Sequence, residues 1–469
     1  MKKIKVIKNR YVDSVTLMSI GSKVLEIEGI KNADVYMGTP SNLEILTSMN
    51  YELPDDIGPG DLVMAVTGES EEKMLTAFQM MEDIIDHKLP GENQLTYNSL
   101  DEINLSEDPY DLVQISLPGE FAFAEAKKAL EMGLNVFIFS DNVSLEEELE
   151  LKQLGREKNL LVMGPDSGVG LLNGVCLAAG SILKKGPVGI VAASGSGAQE
   201  VGCIVERCGL GVSSIIGTGG RDLYPEIGGI SMIQGISYLE KDPDTQVMVL
   251  VSKLADPGVM EKVLKAADEA QKPVVAVFLG SDEELFKGHR VTPAFSLEEA
   301  ALKACEIVMN RKIEIGYADD EIDAIVKGEM AKFTDEQRYF RGLYCGGTFA
   351  EESLIYFSEN VPGITLYSNL KTKYAIKLGN HHESKGHCIL DLGSEDFTRE
   401  SPHPVFDPAL RIKRLCKELE DPQVAVILLD FITGPGVAKD PISPFIDVIK
   451  EHNKKNDRHI TYIVNICGS

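Results

Sequence analysis

The sequence predicts an α/β protein: a small N-terminal unit with a ferredoxin-like layer, then domains built on parallel sheets. Short apolar runs of strand length alternate with amphipathic segments of helical period, the pattern of parallel strands joined by crossover helices. Two glycine turns, Ser194–Gly197 and Gly346–Thr348, each lead from a strand into a helix. The stretch around the second turn repeats the order of features around the first, at a period too long for a solenoid. At 469 residues the chain holds several domains, each large enough for its own core.

Residues 1–95 form the first unit. Lys3–Ile7, Asp34–Met37 and Asp61–Thr67 read as strands, Ser14–Ile27 and Glu71–His87 as helices, with Ser41 and Glu44 spaced to cap another. Polar sequence from Pro90 to Pro109 reads as a linker. The second domain, 96–181, has strands at Leu112–Leu117, Val136–Phe139 and Leu160–Met163. Helices at Glu120–Met132 and Ser144–Lys158 separate them, the latter opening on a Ser144/Glu147 capping box. Ligands of such sheets bind beyond the carboxyl ends of the strands, where Pro165, Asp166 and Ser167 form a substrate-side loop.

Residues 182–312 carry the first copy of the repeat. Val188–Ala192 is a strand and Ser194, Gly195, Ser196 and Gly197 a tight turn; Ser196 and Gln199 have capping-box spacing. A glycine turn follows at Gly217, Thr218, Gly219 and Gly220, then Asp-Pro from Asp242, an apolar strand, Val274–Leu279, and a helix at Ser296–Met309. Residues 313–469 hold a linker and the second copy. The charged stretch from Arg311 to Gln337 reads as a helix-containing connector. A short strand then leads to Gly346, Gly347 and Thr348, with Thr348 and Glu351 in capping-box spacing. Gly393, Asp-Pro from Asp421 and an apolar strand follow in the same order, and Ile460–Ile466 matches Val274–Leu279. The first copy continues into a further segment and helix that the second lacks; the repeat predicts a second copy incomplete at its C-terminus, completed by more of this chain or by another.

The first turn of a helix leaves backbone N–H groups unpaired at the positive end of its dipole, and glycines let an anion approach them. One such turn fits two readings, a phosphate cradle or a capped turn that binds nothing. Duplication favours the cradle, because two helix starts brought together make one anion site.

With 73 acidic against 46 basic residues the net charge is -27, which argues against nucleic acid or an anionic membrane as partner. The eight cysteines contain no C-x-x-C pair and read as reduced, buried thiols of a cytoplasmic protein. No signal-peptide pattern and no apolar run approaching about 18 residues is present. His381, His382, His387 and Cys388 lie close in sequence but match no zinc spacing; a polar hairpin loop accounts for them, and no metal is predicted.

The segments GPDSGVGLLNGV (164–175), ASGSGAQEVGCIVERCGLGVSSIIGTGGRDLYPEIGGI (193–230), FRGLYCGGTFAEES (340–353) and SPHPVFDPALR (401–411) resemble FdrA proteins. YVDSV at Tyr11 and MGTPSN near Gly38 extend the likeness to essentially the whole chain. FdrA proteins are a branch of the succinyl-CoA synthetase-like (NDP-forming acyl-CoA synthetase) superfamily. The resemblance implies a Rossmann-like CoA-binding-type domain over 96–181 and two flavodoxin-like succinyl-CoA-ligase-type domains after it. It implies that the two helix starts face each other across a phosphoryl or acyl-phosphate site. It further implies a subunit of oxamate carbamoyltransferase, converting oxalurate and phosphate to oxamate and carbamoyl phosphate in purine (allantoin) breakdown alongside partner subunits.

Three departures bear on that reading. Residues 1–95 lack the G-x-x-G-x-x-G turn with which CoA-binding relatives begin, an ATP-grasp domain is missing, and the superfamily's phosphorylated histidine has only Gly288-His289 as its nearest match. His289 fits an exposed loop histidine better than a phosphorylated one. Carbamoyl transfer requires no cofactor of this chain, with phosphate as co-substrate. The alternatives are an ADP-forming acyl-CoA synthetase subunit, with CoA and ATP/ADP, and a non-catalytic scaffold; an oligomer is expected throughout. Arg221 could supply a bidentate fork to an oxyanion, oriented by Asp222 and Glu226, or the three could form a surface ion cluster. His403, between Pro402 and Pro404, fits a general acid/base or a solvated turn.

Overall fold

The computed structural model describes every residue except 11, 13–16, 18, 19, 22, 26, 55, 87–98, 107, 108, 254, 399, 400 and 469, with side chains 41 and 48 also left aside. It divides into two units, Met1–Leu160 and Leu161–Ser469. In the first, β1 (Lys2–Ile7), β2 (Ile30–Met37) and β3 (Leu62–Gly68) form an antiparallel sheet in the order β1-β3-β2. That is the order expected of a ferredoxin-like layer. The middle strand is apolar on both faces. Helix α2 (Glu71–Asp86) covers one with Met74, Ala77, Phe78 and Met81, and Leu46 of α1 (Pro40–Ser48) packs with Tyr51 on the other.

The α1 cap differs from expectation. Thr39 is the N-cap, its hydroxyl accepting the Asn42 N–H at 3.4 Å, because Pro40 occupies the first helical position, where its missing N–H costs nothing. Tyr11, His87, much of the helix expected over Ser14–Ile27 and most of the linker from Pro90 lie outside the described residues. Farther along, β4 (Leu112–Ile115) and β5 (Asn135–Ile138) pair in parallel on either side of α3 (Gly119–Glu131). The Ser144/Glu147 capping box opens α4 (Leu145–Lys158) as expected.

The second unit begins with β6 (Val162–Met163) and a hairpin, β7 (Val169–Leu172) and β8 (Val175–Ala178). The first repeat follows as β9 (Lys185–Ala192), α5 (Gly195–Arg207), β10 (Val212–Gly217), α6 (Ile230–Lys241), β11 (Val247–Ser252), α7 (Pro257–Asp268), β12 (Val274–Phe278), β13 (Thr292–Ala294) and α8 (Leu297–Met309). These strands make one sheet, β13-β12-β11-β9-β10-β7-β8. The hairpin is hydrogen-bonded into it, with Leu172 opposite Ser214. The hairpin, which lies before the boundary expected at 181/182, thus shares a sheet with the first repeat.

The connector contains α9 (Asp319–Met330), as expected. The second repeat is β14 (Tyr339–Tyr344), α10 (Gly347–Asn360), β15 (Leu366–Ser368), β16 (Ile376–Lys377), β17 (His387–Asp391), α11 (Glu395–Thr398), α12 (Ala409–Glu420), β18 (Val424–Ile432), α13 (Ser443–Lys455) and β19 (Thr461–Cys467). Its sheet runs β16-β15-β17-β14-β18-β19. The run β12-β11-β9-β10 of the first sheet thus recurs as β19-β18-β14-β17 in the second, all parallel. Duplication read from loop order is duplication of topology. One apolar core spans both repeats, joining Val188, Ile190 and Val249 to Leu354, Ile389 and Leu428.

Candidate functional site: two facing helix starts

Each repeat turns its central strand into a helix through glycine. Ser194 is extended (φ -146, ψ 114) and caps α5 by accepting the Gly197 N–H at 3.1 Å. The expected capping box on Ser196 and Gln199 is corrected: the cap lies two residues earlier, and Gln199 instead accepts a bond from Ser181 Oγ at 3.3 Å. In the second repeat Gly346 is the N-cap of α10 and offers no side chain. The Thr348/Glu351 box is likewise corrected, because Thr348 lies inside the first turn and its hydroxyl faces the other repeat.

Ser194 Oγ and Thr348 Oγ1 lie 2.7 Å apart. A Cβ built on Gly346 would stand 3.6 Å from Ser196 Oγ. The two helix starts therefore meet. Among the described residues, the N–H groups of Gly347, Thr348 and Phe349 have no hydrogen-bond acceptor, although Thr348 is 3% and Phe349 6% exposed. Leaving such donors buried and unpaired costs about 1–3 kcal/mol each, the condition under which a helix start binds an anion.

Two further groups converge there. Lys253, just after β11, brings its Nζ against Gly347, and Asp391 Oδ2, at the end of β17, lies 2.8 Å from where a Gly347 Cβ would stand. Asp391 is buried, and its Oδ1 accepts the Gly393 N–H at 3.0 Å. Burial pushes its carboxyl up to about 6, against the pull of Lys253. Burial raises the neighbouring Glu351 carboxyl as well. Sequence reasoning missed Lys253 and Asp391. Their only signal was position, each at the carboxyl end of a parallel strand.

A buried ion pair holds the second turn in place. Arg411 of α12 meets Asp430 of β18 at 2.9 Å, with side chains 3% and 0% exposed. Asp430 in turn accepts the Cys345 N–H at 2.8 Å and the Cys345 thiol at 2.8 Å. Burial, with Asp430 alongside, raises the Cys345 thiol well above its usual range, so it stays protonated.

The remaining candidates separate. The Thr218 N–H donates to Ala192 O at 2.8 Å, and Ser167 Oγ donates to Gly217 O at 3.1 Å. Gly219 (φ +84) backs against the Pro165 carbonyl, so close that any Cβ there would collide. Pro165, Asp166 and Ser167 thus lie on the Gly217–Gly220 turn. The Asp222 carboxylate is fully buried and accepts the Ser231 and Met232 N–H groups at 3.1 and 2.9 Å. It caps α6, which corrects its expected place among reacting groups; Arg221 beside it is half-buried and Glu226 exposed.

His289 is corrected too. It precedes β13, whose Thr292 is level with Val275 near the start of β12, so it lies at the amino-terminal rim, opposite the paired turns. There it contacts Asp268 at 2.6 Å and Glu261 at 3.2 Å. Burial opposes its charging, but the two carboxylates prevail and raise its pKa.

His403 is half-buried, and it is not a proton-holding acid. Its Nδ1 accepts the Val405 N–H at 3.2 Å, and burial, then Arg411, lowers the ring to about 4. The neutral ring carries its proton on Nε2, which borders Gly393. It is an N–H donor. His387 and Cys388 belong to β17 and not to a hairpin loop, while the His381 and His382 rings lie 4.2 Å apart. Among the described residues no group of His, Cys, Asp or Glu is arranged to hold a metal.

Residues 1–98 match the family described as AllF, heavy metal-associated domain. The protein YahF of Escherichia coli K12, of the FdrA family, is 38% identical over 454 residues, 96% of this chain and 87% of its own length. The chain belongs to the FdrA family. Within it, residues 343–469 match the CoA-ligase family and 183–280 the CoA binding domain. The latter match falls on the first repeat, whereas sequence reasoning put the CoA-binding-type domain at 96–181. The FdrA-family chain is also similar to the ADP-forming sulfoacetate-CoA ligase subunit SqwL of Acholeplasma sp, 30% identical over 187 residues, 38% of this chain and 60% of that one. The structure of ATP citrate lyase from Methanothrix soehngenii superposes with a TM-score of 0.39 and 17% identity, over 51% of this chain and 47% of that one. The relationship is to succinyl-CoA synthetase-like enzymes. Among the described residues no helix is long and apolar enough to cross a membrane.

Proposed function

We propose that this FdrA-family chain is the phosphate-handling subunit of a carbamoyl transferase, with oxalurate and phosphate giving oxamate and carbamoyl phosphate. The observation that carries the reading is the meeting of two helix starts at Ser194 and Thr348, with the first-turn amides of α10 left unpaired. In the reaction a phosphate oxygen attacks the ureido carbon of oxalurate and the bond from that carbon to the oxamate nitrogen breaks. That nitrogen takes the proton the phosphate gives up. Charge accumulates on phosphoryl and carbonyl oxygens, where fixed amide dipoles stabilise it without reorganising. Lys253 adds a cation at Gly347, and the Nε2–H of His403 serves as a donor at the second turn. Arg221 contributes from the Gly217–Gly220 turn, with the Pro165–Ser167 loop packed behind that turn as the substrate-side wall.

Activity rests on partner subunits, in keeping with relatives that are named as ligase subunits. The matches to CoA-ligase and CoA-binding families favour a second reading, an ADP-forming acyl-CoA ligase subunit. The deciding experiment co-expresses the chain with the products of neighbouring genes and measures phosphate-dependent oxalurate cleavage. Release of oxamate supports carbamoyl transfer; CoA- and ATP-dependent thioester formation without it supports the ligase. Should neither reaction occur while the complex assembles normally, the chain is a scaffold.

A further inference from the structure

The paired helix starts explain phosphate but not the two groups beside them. Asp391 is 6% exposed, and among the described residues its Oδ2 makes no hydrogen bond or ion pair, only its Oδ1 being used, by Gly393. Lys253 likewise makes no ion pair among the described residues, and both groups face Gly347. In a residue otherwise buried, that oxygen is the part left open beside the turn, an acceptor turned toward the space a ligand would fill. A ligand that shuts water out of that space keeps the oxygen paired only if it brings an N–H or O–H next to its anionic group.

We propose that Lys253 and Asp391 select an acyl phosphate bearing an amide N–H over one bearing a methyl or methylene at the same position. Lys253 Nζ takes an oxygen of the phosphoryl or carbonyl group. Asp391 Oδ2 accepts from the amide N–H, and Lys253 separates its charge from that of the phosphate. The proposal rests on the phosphate-site reading and deepens it: the amides hold the phosphate, and this pair reads what is attached. An acyl group without the donor leaves Asp391 desolvated and unpaired, the circumstance in which polar sites discriminate most strongly.

Calorimetry on the full chain with three stable probes tests it: inorganic phosphate, phosphonoacetamide and acetonylphosphonate, the last two differing only by NH2 against CH3. The unmodified chain is expected to bind phosphonoacetamide about tenfold to a hundredfold more tightly than acetonylphosphonate. Asp391→Ala should bring the two within about twofold of each other and bind inorganic phosphate at least as tightly as the unmodified chain, and Asp391→Asn, which keeps the volume, should retain part of the preference. Lys253→Met should weaken all three ligands. Equal affinity of the unmodified chain for the two phosphonates, with inorganic phosphate still bound, overturns the selection and leaves the phosphate site standing. Failure of inorganic phosphate to bind a chain with an unchanged melting curve removes the site itself.

Discussion

Glu352 of α10 is partly buried and accepts the Leu297 N–H at 2.8 Å, capping α8 of the other repeat. Burial, with Glu200 and Glu298 nearby, raises its carboxyl to about 7. The folded state therefore holds a proton that the unfolded chain has released above about 4.5. Stability from this group is highest below that pH, falls as pH rises toward 7, and is lowest above it. Glu352→Gln keeps the acceptor and removes the charge. It is expected to raise stability at about pH 8 by on the order of 1–2 kcal/mol and to change little at about pH 5, as read from melting curves at both. The Arg411–Asp430 pair has a different signature. Arg411→Ala or Asp430→Ala strands one charge in the core and should cost about 3–5 kcal/mol in urea unfolding. The double replacement Arg411→Met with Asp430→Leu should cost less than either.

Among elements, α10 opens on a glycine N-cap that supplies no side-chain acceptor. Gly346 has φ -155 and ψ 152, a conformation any residue adopts, and a Cβ there meets only Ser196 Oγ at 3.6 Å. Gly346→Ser should cap the helix, raise stability by about 1 kcal/mol and weaken phosphate binding in calorimetry, because the new hydroxyl occupies the amides an anion would use. Gly347→Val should abolish that binding, its side chain displacing both the end of the flexible Lys253 and the Asp391 carboxylate, with a melting curve to check that the fold is kept. Both glycine turns, the duplication and the four strands common to both repeats were legible from periodicity and loop chemistry, whereas the short edge strands β13, β15 and β16 were not. The cap register was not. S-x-x-Q and T-x-x-E satisfy the spacing rule, but a strand's last hydrogen bond decides where a helix starts, and Ala193 is still bonded to Val251 O when Ser194 turns away. Lys253 and Asp391 were illegible for a related reason: nothing local marks them, and only the approach of two repeats makes them neighbours.

At the scale of the second unit, the repeats are joined by polar ties as well as by the common core. Besides Ser194–Thr348 and Glu352–Leu297, Asn465 Nδ2 donates to Glu200 at 3.1 Å and Tyr374 OH to Gly280 O at 3.3 Å. Residues 161–469 should therefore unfold in one transition. Hydrogen exchange in rising urea, followed on peptides from β9–β11 and β14–β18, is expected to give coincident midpoints; separate midpoints would show two independent modules.

Because the amides come from the second repeat and the Lys253 ammonium from the first, a bound dianion would act as a rivet through the fold. Solute concentration then becomes a determinant of chain lifetime: a hundredfold excess over the dissociation constant adds about 2.7 kcal/mol against unfolding. Starved of that solute, the same polypeptide would be cleared faster by proteases, so its abundance would follow the supply of its own substrate.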